Sequence, residues 1–253
     1  MELLEYEKFA ISLARKAGEI MLRHFSPDIA VELKSDCSPV TLADVAVNEM
    51  VVSEIKKAYP SHGILSEELP EVKGEGKLVW VCDPIDGTLP YSLGIPVSTF
   101  SLALVRDGEP VVAVVYDPFL DRMHNATEGK GAWLNKERRL QVSTRELRGS
   151  LVAVRKPDSA FDALREKYSV RNMMLYSYVY GAMLVASGKC TATTFTQKNA
   201  WDVAAAKLII EEAGGQTSDL DGNQQRYDRS VNGFVGTNGV SHDELLHLIN
   251  DSP

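Results

Sequence analysis

The chain has 253 residues, 44% hydrophobic and 25% charged, which is ordinary for a folded protein and excludes a low-complexity polypeptide. Its formal net charge of −8 argues against broad electrostatic binding to nucleic acid or to anionic membranes. There is no stretch of ~18 apolar residues to span a bilayer, and Cys37, Cys82 and Cys190 are too sparse for a disulfide framework or a zinc site.

The N-terminus, MELLEYEKFA, carries acids early and lacks a basic-then-apolar leader, so a cytoplasmic location is expected. Leu4, Phe9, Leu13, Ala17, Ile20 and Met21 recur at three- and four-residue steps and predict an amphipathic helix over 2–25. A polar loop, VELKSDCSPVT, leads to a second helix over 44–58, closed by Pro60. Strands are expected at 63–66, 78–82 (stopping at Asp83), 99–106, 110–116, 122–127 and 131–135, with Asp107-Gly108 as a hairpin turn. The remainder alternates: strand 151–154, helix 159–166, small-residue helix 180–187, strand 191–195, helix 200–213 closed by Gly214-Gly215, strand 234–236 and helix 241–249. The pattern is α/β: an α+β part over 1–145 and an α/β part over 146–253, with no flexible linker between them and packed as one body. Cys82, inside an apolar run, reads as a buried core thiol.

The segment WVCDPIDGTLPY, residues 80–91, is the sharpest in the chain. An apolar strand runs into two aspartates, Asp83 and Asp86, followed by Gly87 and Thr88. Pro84 stiffens the turn, Gly87 lets backbone approach a ligand, and a helix starting here would offer the Gly87 and Thr88 amides to an anion. Two carboxylates beside an anion cradle are compatible only if hard cations sit between them, and Mg2+ prefers such oxygen ligands. Glu67 and Glu68 close another short strand, Asp44 opens one helix and Asp202 another. Taken singly, each has a plain alternative: a solvated turn, or an acid favoured at a helix start. Acids at strand ends and helix starts, far apart in sequence, are also what a multi-metal site needs.

These motifs resemble the inositol monophosphatase family of magnesium-dependent, lithium-sensitive phosphatases. DPIDGT at 83–88, SEE at 66–68, WDVAAAKLIIEEAGG at 201–215, KSDCSPVTLAD at 34–44 and GKGAWLN at 129–135 match the family's pattern in order along nearly the whole chain. The resemblance implies a layered αβαβα sandwich, shared with fructose-1,6-bisphosphatase, and a homodimer. It implies two or three Mg2+ ions, with Mn2+ or Ca2+ as substitutes in crystals. Glu67, Asp83 and the Ile85 carbonyl would hold the first ion; Asp83, Asp86 and Asp202 the second; Glu68 would support the site or ligate a third. Asp44 and Thr88 would relay a proton from the attacking water, Lys34 would stand near the site as a cationic helper, and the Gly87 and Thr88 amides would bind phosphate. The cations would resolve how a negative protein attracts a phosphate ester.

Three departures from the family bear on substrate. The family commonly continues DGT with one residue and then Asn-Phe; here Leu89-Pro90-Tyr91 follows, and Pro90 removes a backbone donor. Tyr176, Ser177 and Tyr178 stand where small residues are usual. Phe195 occupies the position of a Glu found in inositol-selective members. The rings could stack on a base or a sugar face, or simply pack in the core. The expected activity is hydrolysis of a small inositol or sugar phosphate. The alternatives are a nucleotide phosphatase acting on 3′-phosphoadenosine 5′-phosphate or NADP, and a regulatory protein-binding member of the fold.

Overall fold

The N-terminal apolar stripe folds as α1 (Leu3–His24), and Ala10, Leu13, Ala14, Ala17 and Met21 are each exposed by 1% or less. The computed structural model describes residues 3–26, 29, 31–34, 39–154 and 159–251. Cys37 and Ser38 of the polar loop lie outside the described residues. The hairpin β1 (Val31–Leu33) and β2 (Pro39–Thr41) precedes α2 (Leu42–Ala58). This helix starts ahead of the expected Asp44 because Thr41 and Asp44 cap it. Asp44 Oδ2 accepts from the Thr41 backbone N–H at 2.8 Å and from its hydroxyl at 2.5 Å.

A seven-stranded sheet follows: β3 (Gly63–Ser66), β4 (Leu78–Asp86), β5 (Thr99–Arg106), β6 (Glu109–Asp117), β7 (Arg122–Thr127), β8 (Ala132–Leu134) and β9 (Arg138–Arg139), in that spatial order. Only the β3–β4 pairing is parallel. The expectation that the strand at 78–82 stops at Asp83 is corrected. β4 runs on to Asp86 through a register shift between Asp83 and Asp86, and Pro84 sits in that irregular stretch, where a missing N–H is tolerated. α3 (Thr88–Ser92) begins two residues later. Pro90 lies within its first turn, where N–H groups have no intrahelical partner, so it does not break the helix.

The second sheet has five strands in the order β11-β10-β12-β14-β13. They are β10 (Leu151–Val154), β11 (Arg171–Asn172), β12 (Ala192–Phe195), β13 (Gln216–Ser218) and β14 (Phe234–Thr237). The helices here are α4 (Ser159–Tyr168), α5 (Tyr178–Ala186), α6 (Ala204–Glu212) and α7 (His242–Asp251), with a 3-10 turn at Ala200–Asp202. α1 and α2 cover one face of the large sheet; α5 and α6 fill the space between the sheets; α4 and α7 cover the outer face of the small one. The result is an αβαβα sandwich. Full burial of side chains such as Trp80, Phe100, Leu102 and Phe234 contributes about 1.5–3 kcal/mol each. Cys82 and Cys190 are buried free thiols. Among the described residues, no helix is long and apolar enough to cross a membrane.

Candidate active site

The bulged end of β4 delivers Asp83, Ile85 and Asp86 to one cleft, and α3 adds Gly87, Thr88 and Leu89. The 3-10 turn brings Asp202, the end of β3 brings Glu67, and the segment before α5 brings Tyr176 and Tyr178. The cleft has a volume of about 120 Å³. Oxygens of Asp83, Asp86 and Asp202 lie within 4.8 Å of one another, and all three residues are buried.

The acids are held in different ways. Asp86 accepts from the backbone N–H groups of Tyr178 at 3.0 Å and Val179 at 2.9 Å, from the Thr99 hydroxyl at 3.4 Å and from the Ser177 hydroxyl. It therefore sits at the N-terminus of α5, where the helix favours negative charge. Burial still raises its pKa to about 6, against the pull of those hydrogen bonds. Asp83 has no such support: its Oδ1 is buried without a hydrogen-bond partner among the described residues. Burial first, then the charges of Glu67, Asp86 and Asp202, hold its carboxyl well above the usual range. An unpartnered carboxylate oxygen facing two other carboxylates is a high-energy arrangement unless a cation joins them. The donor set is all carboxylate and carbonyl oxygen, which fits Mg2+.

Lys34 Nζ spans Glu67 at 2.8 Å and Glu68 at 2.5 Å. Burial opposes its charge, but the hydrogen bonds to both glutamates raise its pKa above the lysine norm. Glu68 rises to about 7, chiefly by burial and despite Lys34. Thr88 Oγ1 is 3.1 Å from Asp44 Oδ1 and 3.1 Å from the Ile85 carbonyl, so its single proton serves one acceptor at a time. Burial lifts Asp44 to about 6, against its bonds to Thr41.

Gly87 has φ +89°, and a Cβ there would meet the Val97 carbonyl at 3.0 Å and the Ser177 Cβ at 3.1 Å, so only glycine fits without strain. Of the substrate-side candidates, Tyr176 and Tyr178 line the cleft, whereas Ser177 turns to Asp86 and caps α5 through the Tyr180 N–H at 3.2 Å. Phe195 is buried between Tyr178 and Phe234, with ring centroids 4.8 and 5.5 Å away. Sequence reasoning missed Thr99, which nothing in its local pattern marks as a partner of Asp86.

The sequence pattern of the inositol monophosphatase family matches residues 2–253. The chain belongs to that family. It is an enzyme, a magnesium-dependent phosphomonoesterase. The fructose-1,6-bisphosphatase/inositol-1-monophosphatase of Thermotoga maritima is 33% identical to it, covering 96% of this chain and 95% of that one. The histidinol-phosphatase of Mycobacterium tuberculosis is 34% identical over 95% of this chain and 96% of its own. The Nus factor SuhB of Xylella fastidiosa is 34% identical over 84% and 81%. A solved Thermotoga maritima IMPase superposes with a TM-score of 0.88 at 30% identity, covering 98% of this chain and 97% of that one.

Proposed function

We propose that this family member hydrolyses a small inositol or sugar phosphate, and that Asp83, Asp86, Asp202, Glu67 and the Ile85 carbonyl hold two Mg2+ ions, with Glu68 available to a third. The observation that carries this is the gathering of three buried carboxylates, one with an unpartnered oxygen. When bound, magnesium acidifies the attacking water and neutralises charge on the phosphate and the leaving oxygen. Thr88 Oγ1 takes a proton from that water as it gives its own to Asp44 Oδ1, 3.1 Å away. A hydroxyl is a poor base, so the Asp44 carboxylate is the proton's destination, and a buried acid near neutrality suits that task. The Gly87 and Thr88 amides, at the open first turn of α3, receive phosphate oxygens. Lys34 orients the two glutamates.

Asp83→Asn and Asp86→Asn should each abolish magnesium-dependent phosphate release while the protein stays folded. Full turnover by either variant would overturn the assignment. A second substrate class has its own support: Tyr176 is 46% exposed and, with Tyr178, walls the cleft. Stacking surfaces there suit a nucleotide such as 3′-phosphoadenosine 5′-phosphate or NADP. Its kcat/KM measured against inositol 1-phosphate, with and without Li+, separates the two and tests lithium sensitivity.

The same reading places a cytoplasmic homodimer, divided near residue 145 into two parts that share the site. Exposed Met173, Met174, Leu93 and Ile95 offer apolar contact area, and sedimentation tests the dimer.

A further inference from the structure

The chain entering β5 packs behind the turn at Gly87. The Val97 carbonyl lies 3.0 Å from where a Gly87 Cβ would sit. Ser98 and Thr99 follow, 0% and 1% exposed, and their hydroxyls reach two consecutive residues of the site. Thr99 Oγ1 donates to Asp86 Oδ2 at 3.4 Å, and Ser98 Oγ donates to the Gly87 carbonyl at 2.8 Å.

The Ser98 bond acts on a peptide unit that borders the cleft. In a trans peptide the C=O and the following N–H are coplanar and point in opposite directions. The Gly87 carbonyl and the Thr88 N–H belong to one such unit. Gly87 and Thr88 line the cleft, whereas Ser98 is buried behind them. Anchoring the carbonyl on the buried side therefore turns the Thr88 N–H the other way, to the side on which the cleft opens.

Little within the turn itself resists rotation of this unit. Gly87 has φ 89° and ψ 44°, and without a Cβ it tolerates a wide range of neighbouring values. The Tyr91 N–H also reaches the Gly87 carbonyl, at 3.1 Å, but through a helix of five residues, too short to hold its own first turn. Ser98 is anchored elsewhere: the next residue, Thr99, is paired with Asp86 in the β4–β5 register, so the sheet fixes the hydroxyl's position. Two donors on one carbonyl also polarise the peptide and strengthen its N–H as a donor to an anion.

We infer that Ser98 is a positioning residue for the phosphate group, an inference that rests on the Thr88 amide receiving a phosphate oxygen as proposed above. It acts through the Gly87–Thr88 peptide, eleven positions away in the chain, rather than on the substrate or on the metal-holding carboxylates.

Calorimetric titration of inorganic phosphate into the magnesium-loaded protein reads the effect apart from turnover. The wild type is expected to bind phosphate only with magnesium present. Ser98→Ala should weaken that binding about three- to tenfold, the range of one neutral hydrogen bond. Ser98→Cys refills the space with a poor donor and should show the same loss, which keeps the test decisive where the alanine variant folds badly. kcat/KM should fall by that factor for both inositol 1-phosphate and p-nitrophenyl phosphate, because the peptide meets the phosphate and not the alcohol. The magnesium concentration giving half-maximal activity should not move. Phosphate affinity of wild-type strength in either variant overturns the inference. So does a raised magnesium requirement, which would show that Ser98 holds Asp86 in place instead. Absence of magnesium-dependent phosphate binding in the wild type overturns the proposed phosphate site itself, and the role of Ser98 with it.

Discussion

Asp44 uses its two oxygens for two purposes. Oδ2 receives both hydrogen bonds of Thr41 and closes the start of α2, and Oδ1 receives the Thr88 hydroxyl. In Asp44→Asn the amide oxygen can keep the cap, but the NH2 group then faces Thr88 and offers a donor where an acceptor is needed. The expected result is a kcat lower by about 10²–10³ with little change in melting temperature, since general-base contributions are of that size. Steady-state kinetics with magnesium, alongside calorimetry, checks it; a kcat within twofold of wild type would sink the relay. Gly87→Ala tests the turn instead. Its φ is +89°, and the Val97 carbonyl lies 3.0 Å from where the added methyl would sit. The left-handed backbone alone costs about 1–2 kcal/mol. At ~2–4 °C per kcal/mol for a chain of this size, melting should fall by several degrees. At this scale the sequence was informative where close spacing brings residues together: Asp83, Asp86, Gly87 and Thr88 line one cleft. It was silent where partners are distant: the hydroxyl of Ser177 reaches Asp86 across 91 positions.

One element turns those residues into a site. α5 aims its N-terminus at Asp86, and Ser177 both caps the helix and donates to the same carboxylate. The helix starts at Tyr178, earlier than its apolar pattern suggests, because the cap fixes the boundary. Ser177→Ala removes a donor from a proposed metal-holding carboxylate without touching the ion's own ligands. Loss of such a supporting partner weakens metal affinity by about 10–100-fold. The concentration of magnesium giving half-maximal activity should rise by that factor, with kcat recovered at saturating metal, and Ser177→Thr should restore most of the loss. An unchanged magnesium requirement would show that the backbone N–H groups alone position Asp86. The long elements were legible because their hydrophobic period repeats several times, as in α1 and β5. The hairpin β1–β2 and the strands β9, β11 and β13 span two or three residues each, too few for any period to show. The continuation of β4 past Asp83 was hidden by Pro84, which argues against a strand until the bulge supplies its place.

Across the whole molecule, the two sheets close on a cluster of buried acids whose charges oppose folding when no cation is present. Asp83 is held well above the carboxylate norm, Asp44 and Asp86 near 6, and Glu68 near 7, in each case chiefly by burial. A carboxyl whose folded pKa exceeds its unfolded value binds more protons when folded, so its contribution falls as pH rises through the folded value. Metal-free protein should therefore lose stability from this cluster between about pH 5 and pH 7. His124, buried neutral with a pKa of about 4, acts in the opposite sense and loses stability as pH falls below its unfolded value. The two slopes separate by difference, because only the acids compete with the ion. At a hundredfold excess over Kd, one bound ion adds about 2.7 kcal/mol, or roughly 5–10 °C in a chain of this length. Protons contend for the same oxygens, so the rise in melting temperature on adding magnesium should be small at pH 5 and reach that size by pH 8. Asp83→Asn should remove most of the rise at every pH, and a chelator should reverse it. A magnesium-induced shift equal at pH 5 and pH 8 would mean that the ion binds elsewhere than among these carboxylates.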